Sequence, residues 1–257
     1  MTKYNYLIVG SGLFGSVFSR EMTNRGAKCL VIEKRPHIGG NCYTREDNGI
    51  QVHQYGPHIF HTNSQKIWNY MNKWTSFDSF TYRPKVRFKN RLYSFPINMM
   101  TLHQLWGVIT PQEAIQKLND VRLNFPNPSN LEEWILSQVG EEIYKTFIYG
   151  YTKKQWGREP SELPSSIIKR LPIRTVYDDN YFDDKFQGIP TNGYTKIFEN
   201  MLKDIPVENS VDYLSDKEYF DKLADRVVYT GPIDEFFNYD LGELEWRSLR
   251  FEEQFIE

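Results

Sequence analysis

The chain has few cysteines, almost no net charge and no long apolar run. Two cysteines among 257 residues, Cys29 and Cys42, are too few for a disulfide framework or a metal site. The 31 Lys and Arg nearly balance the 33 Asp and Glu, so the chain has no general attraction for nucleic acid. No apolar stretch reaches the roughly 18 residues of a membrane span, and the N-terminus lacks the layout of a signal peptide. We therefore expect a cytoplasmic protein with reduced thiols, no nucleic-acid partner and no membrane span.

Aromatic residues, by contrast, are abundant. The sequence holds 17 Phe, 17 Tyr and 6 Trp, and 25% of its residues are charged, a composition that argues against wholesale disorder. A chain of this length can bury one large core or two smaller ones. The rings either fill such cores or provide flat surfaces for a base or a sugar.

The first 33 residues follow the order strand, glycine turn, helix, strand, acid. An apolar run over 4–9 leads into the turn GSGLFG at 10–15, a helical pattern continues to Gly26, and a second apolar run over 27–32 ends in Glu33. The acid stands about 20 residues after the first glycine, which is the spacing of a dinucleotide-binding unit. The alternative interpretation is an ordinary glycine turn.

Each glycine of such a unit has its own purpose. Gly10 permits the tight turn, Gly12 lets the backbone approach a pyrophosphate, and Gly15 lets the helix pack against the strand. The helix N-terminus offers N–H groups and a positive dipole to phosphates, and the acid accepts hydrogen bonds from ribose hydroxyls. The predicted cofactor-binding residues of this unit are Gly10, Gly12, Leu13, Phe14, Gly15, Glu33 and Lys34.

A second glycine cluster follows the acid. Arg35 precedes the pair Gly39-Gly40 and then Asn41. A glycine pair at this place resembles the flavin-binding version of the fold more than the nicotinamide version, so these two glycines and Asn41 are further predicted cofactor contacts. The alternative is an ordinary loop.

The segment YGPHIFHT at 55–62 is dense in rings and imidazoles. His58 and His61 stand three residues apart, but no further His, Cys or carboxylate cluster completes a metal site. We therefore predict no metal, and interpret the segment as a loop that faces a flavin or as a structural histidine pair.

The rest of the chain predicts a mixed α/β architecture. A hairpin is expected over 86–95 and helices over 98–150, with N-caps at Thr110 and Asn130 and a stop at Gly140. The pattern then returns to a helix over 194–203, strands over 207–214 and 226–231, and the beginning of a strand near 249–251. Together with the likeness of the glycine pair to flavin-binding proteins, this pattern leads us to expect a Rossmann-like FAD-binding domain interrupted by a helical domain and an antiparallel β-sheet.

Several longer motifs point to one family. HIGGN at 37–41, YGPHIFHT, GYTKKQWG at 150–157, ELP, IIKRLPIR at 167–174, DDNYF at 178–182 and FQGIP occur in the order in which the family has them. On these motifs, which span essentially the whole chain, the sequence resembles the bacterial UDP-galactopyranose mutases. YGPHIFHT and GYTKKQWG are specific to a degree that a glycine turn is not.

The resemblance implies an isomerase that interconverts UDP-galactopyranose and UDP-galactofuranose. The family needs reduced FAD although the reaction has no net redox change: flavin N5 attacks the anomeric carbon, expels UDP and forms a covalent adduct with the sugar. The sugar opens, recloses through another hydroxyl, and UDP returns. The protein has to orient the flavin, hold the diphosphate and exclude water.

The resemblance also assigns residues. His58, Ile59 and His61 would lie beside the flavin, and Arg170 resembles the mobile-loop arginine that closes on the diphosphate. Tyr181 would donate a hydrogen bond to a phosphate. The residues expected to act in catalysis are Arg170, Trp156, His61 and Tyr181. The expected substrate-binding residues are Phe147, Tyr151 and Thr152 around the uridine, Trp156, Arg170 and Tyr181 near the sugar and diphosphate, and Tyr82.

Three domains are expected from the pattern and the resemblance together. The FAD-binding domain comprises 1–80 and 188–240, and a helical domain for substrate binding and dimerisation comprises 96–170. An antiparallel sheet domain is expected from parts of the chain at 81–95, 171–187 and 241–257. The resemblance implies a homodimer.

Two departures from the family limit this interpretation. Tyr82 stands where members carry an Asn that lines the sugar pocket. Members also continue beyond the position of Glu257, so we expect an incomplete FAD-binding domain and question the activity of this chain alone. The alternatives are an FAD-dependent oxidoreductase of the amine-oxidase or desaturase type and an inactive nucleotide-binding fragment.

Overall fold

The structure, a computed structural model, describes residues 3–169, 171–246 and 248–254. It divides into two compact units, Met1–Phe80 with Asp184–Glu257, and Thr81–Asp183. We expected a third unit, but 81–95 and most of 171–187 fall in the second unit and 241–257 falls in the first. Within the described ranges, none of the helices combines the length and the apolar composition needed to cross a membrane.

The bounds of the regular elements are as follows. The strands are β1 (Tyr4–Val9), β2 (Cys29–Glu33), β3 (Thr44–Asp47), β4 (Ile50–His53), β5 (Phe60–Thr62), β6 (Phe77–Ser79), β7 (Lys85–Phe88), β8 (Arg91–Ser94), β9 (Phe186–Pro190), β10 (Val207–Asn209) and β11 (Ala224–Tyr229). The α-helices are α1 (Leu13–Asn24), α2 (Gln65–Met71), α3 (Met99–Trp106), α4 (Pro111–Val121), α5 (Leu131–Ile143), α6 (Gly150–Trp156), α7 (Gly193–Met201), α8 (Lys217–Asp221) and α9 (Ile233–Phe236).

A parallel sheet in the order β10-β2-β1-β11 forms the centre of the first unit. Every residue of β2 is buried, as expected for a strand covered on both faces. Leu7 and Leu30 pack on one face with Tyr213, while Ile8 and Val31 pack on the other. The Rossmann-like, mixed α/β fold predicted from the first 33 residues is confirmed, with both predicted strands and the helix between them in place.

Two predictions for the later strands are wrong. The strand expected over 207–214 ends at Asn209, because Asp212 accepts a hydrogen bond from the backbone N–H of Leu214 and begins a 3₁₀ turn. The described residues 241–246 and 248–254 contain no strand, so the one expected near 249–251 is absent there. An alternating apolar pattern is not enough to form a strand, because a strand also needs an adjacent strand that forms hydrogen bonds with its backbone.

A small antiparallel sheet and a ribbon complete the first unit. Strand β9 pairs with both β5 and β6, and β3 pairs with β4. In this sheet, residues 60–62 pair with residues 186–190. The two parts of the first unit are therefore joined, although residues 81–183, which form the second unit, separate them in sequence.

The second unit contains the hairpin β7–β8 and the helices α3 to α6. Lys89 and Asn90 both have positive φ, 45° and 61°, and form the two-residue turn that suits a hairpin even without an Asn-Gly pair. The predicted caps are confirmed: Thr110 and Glu113 form a capping box, and the Asn130 side chain accepts from the backbone N–H of Glu133. The helices bury a core around Leu131, Ile135, Val139 and Ile143.

Gly140 interrupts the helical run as predicted. Its φ of 74° and ψ of 179° lie in a region open essentially to glycine, and a Cβ there would lie 2.5 Å from the carbonyl oxygen of Val121. A π-helical turn, Tyr144–Tyr149, follows and leads directly into α6. The break therefore lets the chain pack closely against α4 and redirects it into the 150–157 motif.

We expect Gly140→Ala to lower the free energy of unfolding by about 3 kcal/mol, because it combines backbone strain with a clash. Gly107→Ala is the matched control, since Gly107 also has positive φ, 71°, but a Cβ there meets nothing within 4 Å. We expect the control to cost about 1 kcal/mol. Urea unfolding of both variants measures the difference, and equal losses would contradict the close packing at Gly140.

Candidate functional site

Two glycines of the first turn are required by the fold itself. Gly10 follows β1 with a φ of 103°, and a Cβ there would lie 2.2 Å from the hydroxyl oxygen of Thr230. A Cβ on Gly15 would lie 2.0 Å from the carbonyl oxygen of Gly10. The turn and the first helix therefore pack more closely than any side chain permits.

Gly12 differs, because the fold does not require a glycine at this position. Its φ of −67° and ψ of −174° suit any residue, and the nearest atom to a Cβ would be the Cα of Gly40 at 4.0 Å. Gly12 is the N-cap of α1, which has no side-chain cap and no acidic residue in its first turn. Leu13 and Phe14 beside it are exposed. The open helix N-terminus and the missing side chain fit the pyrophosphate of a dinucleotide.

Glu33 ties the end of β2 to the glycine turn. Its buried carboxylate accepts hydrogen bonds from the backbone N–H of Ser11 at 2.9 Å and the Ser11 hydroxyl at 2.7 Å through Oε2. Oε1 accepts from the backbone N–H of Arg35 at 2.9 Å. A carboxylate has about four acceptor positions, so about one remains for a ribose hydroxyl. Lys34 instead forms an ion pair with Asp212 at 2.9 Å, which raises the pKa of Lys34.

The second glycine cluster lies directly against the first. Gly39 and Gly40 have φ values of 93° and 55°, and the backbone N–H of Gly39 donates to the carbonyl of Ser11 at 3.1 Å. A Cβ on Gly40 would lie 3.1 Å from the Cα of Gly12. The structure therefore brings the two glycine clusters together into one cradle, which consists of residues 10–15 and 39–41.

Arg35, which is not among the predicted cofactor contacts, lies beside the cradle. Its guanidinium lies 4.3 Å from the centre of the Tyr55 ring, and Nη2 donates to Oδ1 of Asn41 at 2.9 Å. A guanidinium only donates, so the Asn41 oxygen faces it and the amide nitrogen is left to donate elsewhere. The buried Nη1 of Arg35 has no hydrogen-bond partner among the described residues. A buried donor of this kind fits an acceptor on a bound group.

The histidine-rich segment is organised by a residue that was not predicted. The backbone N–H of His58 donates to Nδ1 of His53 at 3.0 Å, and the Tyr194 ring packs edge-on against His53 at 5.6 Å. Burial, with a smaller contribution from His58, lowers the pKa of His53. Nδ1 of His58 lies 2.8 Å from the carbonyl of Gly56, so this ring is also fixed. Together these contacts set the backbone around the partly buried Ile59.

His61 stands apart from that pair. Its Nδ1 lies 2.6 Å from Oδ2 of Asp184, so the structure orients this ring through a carboxylate that follows 123 residues later. Among the described residues no group of three or more His, Cys, Asp or Glu side chains is arranged to hold a metal ion. Asp184 precedes the FQGIP motif, but nothing in the local sequence signals its contact with His61.

The predicted uridine-binding residues differ in exposure within the second unit. Phe147 is 4% exposed and packs edge-to-face with Tyr93 at 5.4 Å, and Thr152 is also buried. Tyr151 is 70% exposed, whereas Trp156 is half-buried against the helical core. Phe147 lies in the π-helical turn, an irregularity that is frequent at functional sites. Tyr151 is thus the most exposed of these rings, and Trp156 is partly exposed.

Tyr82, Tyr181 and Phe182 form an aromatic cluster in the same unit. The Tyr82 ring lies 5.4 Å from Tyr181 and 6.3 Å from Phe182, and these two lie 5.0 Å from each other. The backbone N–H of Tyr181 donates to the carbonyl of Tyr82 at 2.8 Å. Two predicted substrate-binding residues are therefore brought together, while Arg170 lies outside the described residues.

Comparisons with known proteins match both units. A family model for UDP-galactopyranose mutase matches residues 146–257, and one for an NAD(P)-binding Rossmann-like domain matches 8–74. The chain is 43% identical to a dTDP-fucopyranose mutase of Escherichia coli, covering 98% of this chain and 69% of that one. It is 40% identical to a probable UDP-galactopyranose mutase of Klebsiella pneumoniae, over 98% of this chain and 66% of that one. This chain thus spans about two thirds of the length of these relatives.

A solved structure supports the fold. The crystal structure of a reduced UDP-galactopyranose mutase superimposes with a TM-score of 0.68 over 91% of this chain and 57% of that chain. The sequence identity in this comparison is 18%, so the likeness concerns the fold alone.

We expect His53 to make the first unit less stable in acid. The unfolded chain takes up a proton on His53 near its ordinary pKa of 6.5, whereas the folded chain takes it up only at lower pH. The free energy of unfolding therefore falls as pH decreases below about 6.5. His53→Asn keeps an acceptor near the Nδ1 position but does not titrate, so this variant should lose less stability between pH 7.5 and 5.5 in thermal unfolding.

His103→Asn serves as the control, since His103 is an exposed imidazole that also contacts a backbone carbonyl. This control should keep the pH dependence of the original protein. If His53→Asn also keeps it in full, the assignment of the effect to His53 is wrong.

Proposed function

Because the chain belongs to the UDP-galactopyranose mutase family, we propose that it is an isomerase that interconverts UDP-galactopyranose and UDP-galactofuranose with FAD as its cofactor. The observation that carries the proposal is the joining, in one chain, of a dinucleotide cradle and the GYTKKQWG and DDNYF segments, with relatives aligned over 98% of the residues. A homodimer in the cytoplasm is part of the proposal.

The cradle supports FAD as the dinucleotide. Gly12 leaves room for a pyrophosphate, the N-terminus of α1 faces it with N–H groups, and the remaining acceptor position of Glu33 suits a ribose. The amide nitrogen of Asn41 and the buried Nη1 of Arg35 are donors for the same ligand. His58 and His61 are proposed to lie beside the flavin ring. When bound and reduced, the flavin supplies the nucleophile for the anomeric carbon.

The chain's own residues have to bind and orient the nucleotide sugar. Tyr151 and Trp156 offer ring faces to the uracil and the sugar, and Tyr181 donates its hydroxyl to a phosphate. The bond that breaks joins C1 of the sugar to the diphosphate, and the diphosphate leaves with the electron pair. Arg170 and Tyr181 stabilise the charge that develops there, and hold UDP for its return to C1 once the ring has reclosed. No electrons are consumed over the cycle.

A second substrate is favoured by two specific observations. A relative named dTDP-fucopyranose mutase is 43% identical to this chain, and fucose carries a methyl group where galactose carries a hydroxymethyl group. Tyr82 replaces the Asn expected at the sugar pocket, and its ring lies 5.4 Å from that of Tyr181. An aromatic edge suits a methyl group better than an amide does. dTDP-fucopyranose is therefore the alternative substrate, and the ratio of kcat/KM for the two sugars distinguishes them.

The cofactor assignment predicts a selective effect of Gly12→Ala. The fold has room for the new methyl group, so circular dichroism and the Tm should be unchanged. A bound pyrophosphate does not have this room, so FAD affinity should fall at least about tenfold. Flavin absorbance after reconstitution and gel filtration measures the loss. Full flavin content in this variant would contradict the cradle as the cofactor site.

The reaction itself is tested with dithionite-reduced flavoprotein and UDP-galactofuranose, by following the appearance of UDP-galactopyranose. We expect Arg170→Ala to reduce turnover about 100-fold or more while FAD content stays the same, since a charge that stabilises the leaving group is lost. Lys169→Ala, at the neighbouring cation, is the matched control and should retain turnover. Consumption of one reductant per substrate would instead support an oxidoreductase, and a protein that never binds flavin would support the fragment interpretation.

A further inference from the structure

Arg174 occupies an unusual position at the end of the IIKRLPIR motif. Its backbone N–H donates to the carbonyl of Ile97 at 2.9 Å, and the neighbouring Ile173 forms a parallel bridge with Ile97. Ile97 belongs to the buried core of the second unit. The Arg174 side chain is only 12% exposed. Because its backbone is held by a hydrogen bond and its side chain is largely buried, Arg174 can adopt few side-chain conformations.

The guanidinium binds both ends of one short segment. Nη1 of Arg174 donates to the carbonyl of Asn180 at 2.6 Å, and Nη2 donates to Oδ1 of Asp183 at 2.5 Å. Nε lies 3.6 Å from Oδ2 of Asp178. The contacts lie on either side of Tyr181 in the sequence, and the segment 178–183 has no regular secondary structure. Its conformation therefore depends on such side-chain contacts.

Two further cationic residues, Arg83 and Lys85, also bind the segment 178–183. Arg83 donates through Nε to Oδ1 of Asn180 at 2.9 Å, and Lys85 donates to Oδ2 of Asp179 at 2.7 Å. The hydrogen bond from Lys85 lowers the pKa of Asp179. These cations bind side chains of the segment, whereas Arg174 binds its backbone as well. Arg174 thus acts more directly on the path of the chain around Tyr181.

We propose that Arg174 is a positioning residue that fixes the segment 178–183 and thereby holds the Tyr181 hydroxyl ready for the diphosphate of the nucleotide sugar. This inference rests on the proposed function, which places a phosphate at Tyr181. Arg174 does not touch the substrate; it acts through the segment. A planar fork reaches a carbonyl and a carboxylate at once, and the single ammonium of a lysine does not.

The test is a double-mutant cycle on UDP binding, measured by isothermal titration calorimetry with the purified chain. We expect Arg174→Lys and Tyr181→Phe each to raise the Kd for UDP about tenfold. If Arg174 acts through Tyr181, the double variant should also show a loss of about tenfold, because the second change removes an interaction that is already lost. Flavin content and the Tm should change little in Arg174→Lys.

Arg122→Lys is the matched control. Arg122 lies in the same unit and also donates to a backbone carbonyl, that of Gln138 at 2.6 Å, but it has no contact with the segment 178–183 among the described residues. UDP affinity should be unchanged in this control. An equal loss there would mean that any weakened carbonyl contact disturbs the unit, and would overturn the specific role of Arg174.

The remaining outcomes separate the inference from the proposed function. Losses that multiply to about 100-fold in the double variant, or unchanged affinity in Arg174→Lys, would overturn the positioning role while leaving Tyr181 as a phosphate ligand. Unchanged affinity in Tyr181→Phe, or no UDP binding by the original chain, would contradict the proposed function itself. If Arg174→Lys does not fold, Asp178→Ala replaces it in the cycle with the same expectation, since Asp178 contacts both Arg174 and the backbone N–H of Asn180.

Discussion

The glycine cradle depends on the close contact between two glycine turns in the first unit. Ser11 joins them: its N–H and hydroxyl bind the Glu33 carboxylate, and its carbonyl accepts from the N–H of Gly39. The end of β2, the turn after β1 and the second glycine cluster are thereby held together. The close packing of the turn takes place at Gly10 and Gly15, whereas no atom lies closer than 4.0 Å to the position of a Cβ on Gly12. The open space beside Gly12 is therefore fixed by the backbone of the two turns.

The two units fix their functional residues by different means. In the first unit, parallel strands and tight glycine turns set the backbone, so position follows from main-chain hydrogen bonds. In the second unit, the segment that carries Tyr181 has no ladder, and cationic side chains bind its carbonyls and carboxylates instead. The backbone of the glycine cradle is thus set by main-chain hydrogen bonds, whereas the backbone around Tyr181 is set by side chains.

Local patterns predicted much of the fold and part of the candidate site. The first βαβ unit, the hairpin and the helix caps at Thr110 and Asn130 depend on residues close in sequence, and all are found. The strand expected over 207–214 failed where Asp212 begins a turn, because a side-chain cap competes with strand pairing. Phe147, which is expected to help hold the uridine, is largely buried, and its burial follows from helix packing that the local sequence does not show.

The sequence by itself determined the glycine cradle and the motifs that carry the resemblance to the family, because both depend on residue types at fixed short spacings. Only the tertiary structure decided which distant side chains support those residues. His61 meets Asp184 across 123 positions, and Glu33 meets Ser11 across 22. The hydrogen bond between the His58 N–H and the His53 ring spans only five residues. The ring of Tyr194, far away in sequence, packs against His53, and burial lowers the pKa of His53. Such contacts have no local signal, since folding alone brings their partners within hydrogen-bonding distance.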